Sequence, residues 1–531
     1  MSATSAGSSR SPSPWLAGGS RRRLAVLATI LVVATALRFA LADYSLWFDE
    51  YAALFFAHQP YARLWSDWMV RETNPPLYYS ILHGWIELIG PMDRVTLRVP
   101  TILANLLTIA VAYFGVARHY GERAAALGAM LLAVSAQQIF YAHQVRGYSF
   151  LALALTVSFF GLMRIVAAEE RGTRDQTGAW LSFVGGAIAA IYLHVTALLW
   201  VPIATLALLA VDRRFVPLLG RDWWRLALAD LAIAVGALWA LYIVYQQTQV
   251  PNPNISWMHF LGIRGALKLY WASSLLARDP FGIQALSAGL LFAAAVFGIV
   301  RTARQRTTQL AVLCWVGAVC LFFLFSLKQP VLVERTLVWM AIFPVTLACA
   351  GASTLRGRRT FLVVAGVLIA AGGANLAATY AGFAREEWDG AIRQVLDDPK
   401  SVLIVSGEGD AVVSDYACKF LGRRDQCPVP IIALSGENHN AWASGYGPKV
   451  SVTEQGRLAV SPQSNVYLIQ RYDGRTLRVL HAAGLLRDVQ GRSGDLVFLG
   501  PFGPPALADI ERVACVRDNM LESACPALPP R

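Results

Sequence analysis

Charge is scarce in this chain. Only 15% of its 531 residues are Asp, Glu, Lys or Arg and 56% are hydrophobic, whereas an ordinary soluble domain carries roughly 25% charge. That balance, with a mean hydropathy of +0.47, excludes a water-soluble fold. Apolar runs of about 20 residues, enough to cross a bilayer, recur along most of the length. No internal repeat is evident, which removes the usual sequence mark of a transporter. The 34 acidic residues are outnumbered by 46 basic ones, for a net charge of +12. The excess does not point to nucleic acid, because it recurs in short clusters between apolar runs, the pattern that orients membrane proteins. Cysteine is sparse at seven. Cys314, Cys320 and Cys349 lie in apolar runs and read as packing residues. Cys418, Cys427, Cys515 and Cys525 fall in the polar C-terminal region, and an even number in two close pairs suggests disulfides in an oxidising compartment. Of the three possible pairings, 418–427 with 515–525 is adopted.

What is present is a polytopic α-helical pattern. Residues 1–23 are Ser/Gly/Pro-rich, end in three arginines, and read as a disordered cytoplasmic tail. Apolar runs predict eleven spans near 24–43, 98–117, 124–142, 149–167, 177–194, 195–211, 226–247, 283–300, 309–327, 336–350 and 361–380. The stretch 77–90 is too short to span, since fourteen helical residues rise about 21 Å against a core of about 30 Å. It is expected to lie in the outer leaflet, within a first outer loop at 44–97. This arrangement puts fifteen basic residues in inner loops and six in the later outer loops, whereas a span at 77–90 would invert the bias. Residues 24–380 therefore form the membrane domain and 381–531 an extracytoplasmic one. In the latter, "SVLIVSG", "PVPIIALS", "SNVYLIQ" and "DLVFLG" read as buried strands, with helices near 411–421 and 475–484, giving a small α/β layer. "SGEGDA" reads as a plain strand-to-helix turn.

The few charges at the outer edge form the candidate site, because membrane-edge ionisable groups are functional candidates by default. "SLWFDEYAAL" carries Asp49 and Glu50 on an expected amphipathic helix, with Phe48, Tyr51, Leu54 and Phe55 forming an interfacial surface. Adjacent helical residues point about 100° apart, so the two acids cannot share one task. "NPPLYYS" supplies Asn74 and Tyr78 at a rigid Pro-Pro turn, followed by His83 and Glu87 on one helix face. "HQVRGYS" holds Arg146 and Tyr148, "YLHVT" holds His194, and "SLKQPVLVERTLVWM" holds Lys328, Glu334 and Arg335. Cations converging on a membrane-edge carboxylate suit transfer of a group from a lipid phosphate. Arg and Lys would hold the departing phosphate, each donor contributing about 3 kcal/mol. A carboxylate would take the proton from an acceptor hydroxyl, for roughly 10²–10⁴ in rate.

Taken in order, "SLWFDE", "NPPLYY", "QVRGYS", "YLHVTALLW", "NISWM" and "ERTLVW" resemble the GT-C glycosyltransferases. The resemblance covers about residues 24–350 and is strongest to the protein O-mannosyltransferase-like branch. That branch includes lipid A aminoarabinose transferases and lipopolysaccharide-core sugar transferases. It implies a multi-pass enzyme of the cytoplasmic (inner) membrane that uses a polyprenyl-phosphate sugar at the outer face, with inversion. The acceptor would be a glycolipid, polysaccharide or protein. Asp49 would then be the base and Glu50 a supporting residue. Arg146, Lys328 and Arg335 would bind the donor phosphate, while Tyr148, His194, Asn74 and Tyr78 line the cavity. Asn74 stands where relatives often carry His or Lys, and Thr336 follows Arg335 where they commonly have Tyr. Some relatives bind a divalent metal and others need none; no metal or other cofactor is assigned. A transporter or lipid flippase is the alternative from another class.

Overall fold

The computed structural model describes residues 19–40, 42–90, 93–170, 176–249, 258–276, 282–381, 386–405, 407–433, 441–443, 461, 463–471, 489–493 and 496–502. The chain begins with α1 (Gly19–Phe39) and enters a loop that carries α2 (Phe48–Ala57), α3 (Tyr61–Leu64) and α4 (Leu77–Ile89). The bundle continues through α5 (Arg94–Tyr120), α6 (Glu122–Ala133), α7 (Ala136–Ala142), α8 (Tyr148–Glu170), α9 (Thr177–Leu193) and α10 (Trp200–Val211). It then runs through α11 (Trp223–Gly236), α12 (Leu238–Gln249), α13 (Gly262–Ser274), α14 (Gly282–Thr302), α15 (Arg306–Ser326), α16 (Ile342–Ser353) and α17 (Arg358–Ala381). Among the described residues, five helices are long and apolar enough to cross a membrane, and two bent pairs raise that to seven. This is a multi-pass helical membrane protein.

All eleven predicted apolar segments fall on helices, but two are broken. α6 and α7 meet at 59°, and α11 and α12 at 60°. At the first break Ser135 caps α7, its hydroxyl accepting from the Gln138 N–H at 3.2 Å. The buried Arg38 reaches from α1 to donate to the carbonyls of Leu132 (3.3 Å) and Ala133 (3.1 Å), which end α6. Its Nε and Nη2 hold Asn105 Oδ1 on α5. This guanidinium is thus spent on an amide oxygen and on carbonyls at the kink. Elsewhere α14 and α16 touch backbone to backbone: a Cβ at Gly351 would lie 2.8 Å from the Cα of Gly298. Small residues permit such close approach in membranes.

The C-terminal region is the predicted α/β layer. It holds α18 (Trp388–Asp397), β1 (Ser401–Val405), α19 (Glu408–Gly422), β2 (Ile431–Ala433), β3 (Asn465–Arg471), β4 (Val489–Ser493) and β5 (Leu496–Phe502). The sheet order is β2-β1-β3-β5-β4, with β2, β1 and β3 parallel and β5 antiparallel to both β3 and β4. The four predicted strands are present; β4, "VQGRS", is an addition. A disulfide joins Cys418 to Cys427, as expected. Cys515, Cys525 and the expected helix at 475–484 lie outside the described residues.

Several expectations need correction. α1 takes in Arg21, Arg22 and Arg23, assigned above to a disordered tail, because Arg23 pairs with Glu122 and nothing in the run breaks a helix. Residues 1–18 lie outside the description. Cys320 is exposed on α15, unlike the buried Cys314 and Cys349. α13 occupies a stretch expected to be loop. The largest change concerns α2. Phe48, Tyr51, Leu54 and Phe55 form no membrane-interfacial surface, since all four are buried in protein. Their cover comes from the far end of the chain: Phe48 meets Trp388 and Trp442, Tyr51 meets Phe420, and Phe55 meets Tyr416 and Trp442, at ring separations of 5.5–6.4 Å.

Candidate active site

The site is assembled at the N-terminus of α2. Trp47, in the N-cap position, has no side-chain acceptor for the free backbone N–H groups that open a helix. Acids supply the missing acceptors. Glu50 accepts from the Trp47 N–H at 3.2 Å and from the Val145 N–H at 2.8 Å. It also pairs with the Arg98 guanidinium at 3.3 Å, and both side chains are fully buried. Arg98 further donates to the Ala42, Tyr44 and Ser45 carbonyls and stacks on the Tyr44 ring at 3.9 Å. Glu50 is thereby committed to joining α2 to α5 and to the turn after α7.

Asp49 faces elsewhere. Its Oδ2 accepts from Arg335 Nη1 at 2.9 Å, with side chains 21% and 28% exposed, so the pair is half-buried and keeps partial access to solvent. Arg146, buried, donates to the Asp49 carbonyl at 3.4 Å and to the Tyr79 hydroxyl at 3.3 Å. Burial alone would lower the pKa of this guanidinium, but Tyr79, Tyr148, Asp49 and Glu72 hold it well above the ordinary arginine value. Arg335 is likewise raised: burial and neighbouring Arg146 oppose the charge, while Tyr148 and Asp49 favour it. Two permanent cations therefore flank one partly accessible carboxylate.

The remaining predicted residues divide. Tyr78 is buried beside Gly147, where a Cβ would lie 3.2 Å from Tyr78 Cβ, so glycine lets the Arg146 turn close onto α4. Tyr148 lies 6.3 Å from the His194 ring, and His194 Nδ1 is engaged by the Thr196 hydroxyl at 2.9 Å. Asn74 does not reach Asp49; its side-chain amide donates to Glu72 at 2.6 Å. Lys328 is exposed two residues past the end of α15, and the structure does not bring it to Asp49 as it brings Arg335. His83 pairs with Glu87 at 3.2 Å and with the Ala57 carbonyl at 2.6 Å, a local arrangement.

Sequence reasoning missed three members. Arg98 was counted within a span, although an arginine at the edge of an apolar run is itself a signal of a buried partner. Glu72, two residues before Asn74, is buried and accepts from Asn74 and from the Tyr79 hydroxyl at 3.1 Å. Burial pushes its carboxyl pKa up, against the opposing pull of Arg146 and these hydrogen bonds. Tyr79 links Glu72 to Arg146 and stacks on Phe56 at 4.6 Å. Among the described residues, no group of three or more His, Cys, Asp and Glu side chains is arranged to hold a metal ion.

Two solved structures match this architecture over most of its length. ArnT from Cupriavidus metallidurans in the apo state superposes with a TM-score of 0.58 at 15% identity, covering 92% of this chain and 99% of that one. The chain shares the ArnT fold. The same ArnT bound to undecaprenyl phosphate gives a TM-score of 0.54 at 14% identity, over 92% and 98% of the two chains. No family model and no curated protein matches the sequence.

Proposed function

We propose that this GT-C-fold protein transfers a sugar from a polyprenyl-phosphate donor to an acceptor hydroxyl, at the outer face of the cytoplasmic membrane. The observation that carries the reading is the half-buried Asp49–Arg335 pair with Arg146 against the same helix end. A lipid-linked sugar phosphate is a monoanion that gains a second charge when its bond to the anomeric carbon breaks. Arg335 would exchange Asp49 for a phosphate oxygen, and Arg146 would stabilise the growing charge. The exchange frees the Asp49 carboxylate to accept the acceptor proton as the hydroxyl oxygen attacks the anomeric carbon. One C–O bond forms, one breaks, the bonding electrons leave with the phosphate, and the configuration inverts. Lys328 enters only as a further phosphate contact made on donor binding. Tyr148 and His194 line the cavity, while Glu50 and Asn74 support the loops around it. A structural neighbour bound to undecaprenyl phosphate supports the lipid-phosphate donor class. The acceptor class is a glycolipid, polysaccharide or protein.

The test is a panel of undecaprenyl-phosphate sugars incubated with purified protein, following donor consumption in wild type and Asp49→Asn. Consumption by wild type alone is expected. Equal turnover by both removes Asp49 as the base. Solute uptake into proteoliposomes without donor consumption would replace the reading with transport.

A further inference from the structure

We propose that Asp389 and Glu386, some 340 residues after the catalytic loop, are positioning residues that clamp the helix bearing Asp49. The proposal rests on the sugar-transfer reading for its functional consequence, though not for its geometry.

Asp389 is buried, and its side-chain partners among the described residues all come from the membrane domain. Its Oδ1 accepts from the Tyr51 hydroxyl at 2.6 Å and from the Ser45 hydroxyl at 3.0 Å. Its Oδ2 accepts from Arg94 Nη1 at 2.8 Å, and Arg94 Nη2 pairs with Asp43 at 2.7 Å. The Asp389 N–H returns to Ser45 Oγ at 3.1 Å. One carboxylate thus ties Ser45, three residues ahead of α2, Tyr51, the second residue after Asp49, and Arg94 in the first turn of α5. Glu386 completes the clamp. Its Oε2 accepts the N–H of Phe48, the first residue of α2, at 3.2 Å and the Trp388 indole N–H at 2.7 Å. The Phe48 N–H is among the opening donors that an α-helix leaves without an intrahelical acceptor. An acid from the distant α/β region accepts it, with its negative charge at the favourable end of the helix dipole.

The clamp fixes the one degree of freedom that matters. Glu50 holds one side of α2 to Arg98 and the Val145 N–H, and the aromatic side is held under Trp388 and Trp442. Rotating α2 within that frame moves Asp49 relative to Arg335. Tyr51 lies two positions on and is pinned by Asp389, so rotation would break its bond. A buried carboxylate with several donors makes such slippage costly, because each donor would be left unpaired. Displacements of about 1 Å in catalytic geometry can cost on the order of 100-fold in rate.

The full-length protein in lipid nanodiscs is compared with Asp389→Asn, Glu386→Gln and Tyr51→Phe. Tyr51→Phe removes one hydroxyl and keeps the ring, so it reports even where an Asp389 variant fails to fold. Three readouts are taken: amide hydrogen exchange over residues 45–57, binding of undecaprenyl phosphate, and kcat on an accepted undecaprenyl-phosphate sugar. The clamp predicts exchange in 45–57 faster by about 10-fold. It also predicts kcat lower by roughly 10–100-fold with undecaprenyl phosphate affinity within about 2-fold of wild type. Folded variants with unchanged exchange and unchanged kcat overturn it. Affinity falling in step with kcat also overturns it, because the substitution would then act on the whole site. The exchange readout needs no sugar: loosening of 45–57 in variants of a protein that consumes no donor would sink the transfer reading and leave the clamp standing.

Discussion

Asp49 Oδ2 and Arg335 Nη1, 286 residues apart in the chain, stand 2.9 Å from each other. The pairing stores both reagents of the proposed reaction in one contact. With no donor present, the base occupies the cation that the leaving group needs. Asp49→Asn removes the competing anion and frees Arg335. Undecaprenyl phosphate should therefore bind this variant at least as tightly as wild type, while turnover falls by roughly 10²–10⁴. Arg335→Ala should weaken lipid-phosphate binding. Titration calorimetry alongside the turnover assay separates the two effects.

Glu50 has a different dependence. It and Arg98 are fully buried partners, so Glu50→Gln leaves a buried guanidinium without its counter-charge. Removing one member of such a pair costs on the order of 3 kcal/mol. Thermal unfolding should show Glu50→Gln well below wild type, whereas Asp49→Asn, at a half-open position, should melt close to it.

Glu72 should confer a pH dependence on stability. Burial raises its carboxyl pKa from the ordinary value of 4.5, so the folded protein binds that proton more tightly than the unfolded chain. The contribution is fully present below pH 4.5 and is lost as pH rises through the elevated folded-state value. Glu72→Gln keeps an oxygen for Asn74 and Tyr79 but carries no charge. Its melting temperature should vary less than that of wild type between mildly acidic and neutral pH, and an unchanged slope would contradict the assignment.

The Cys418–Cys427 bond closes a loop of nine residues' separation at the end of α19. A loop of that size stabilises by about 2–3 kcal/mol through the unfolded chain. Reduction should lower the melting temperature of the α/β region, and Cys418→Ser should reproduce the shift in the absence of reductant.

How far the sequence could be read is clearest at α2. The acids, their helix and the cations Arg146 and Arg335 were legible, because charge at the edge of apolar runs is rare and each such residue stands out. The partner of the aromatic face was not. Phe48, Tyr51 and Phe55 have the composition of a lipid-facing surface, and their cover, Trp388, Tyr416, Phe420 and Trp442, lies more than three hundred residues on. Nothing local distinguishes a greasy helix face that meets lipid from one that meets protein. Separations of 48 and 295 residues likewise hid the Arg98–Glu50 and Arg94–Asp389 pairs. Helix lengths followed from apolar runs, yet the break at Ser135 was not read, although Ser135 and Gln138 carry a helix-start pattern beside the carbonyls that Arg38 holds from another helix. β4 escaped because "VQGRS" has neither alternation nor a β-branched run.

Gly298 and Gly351 bring α14 and α16 into direct main-chain contact, and this has a mechanical consequence for the loop that delivers Arg335. Helices seated without intervening side chains resist sliding past each other, because a shift would drive a neighbouring residue's side chain into opposing backbone. α16 is thereby anchored in register. With α2 clamped as well, the adjustment to an incoming anion would fall to residues 327–335, largely exposed or half-buried, just ahead of the buried turn that leads into α16.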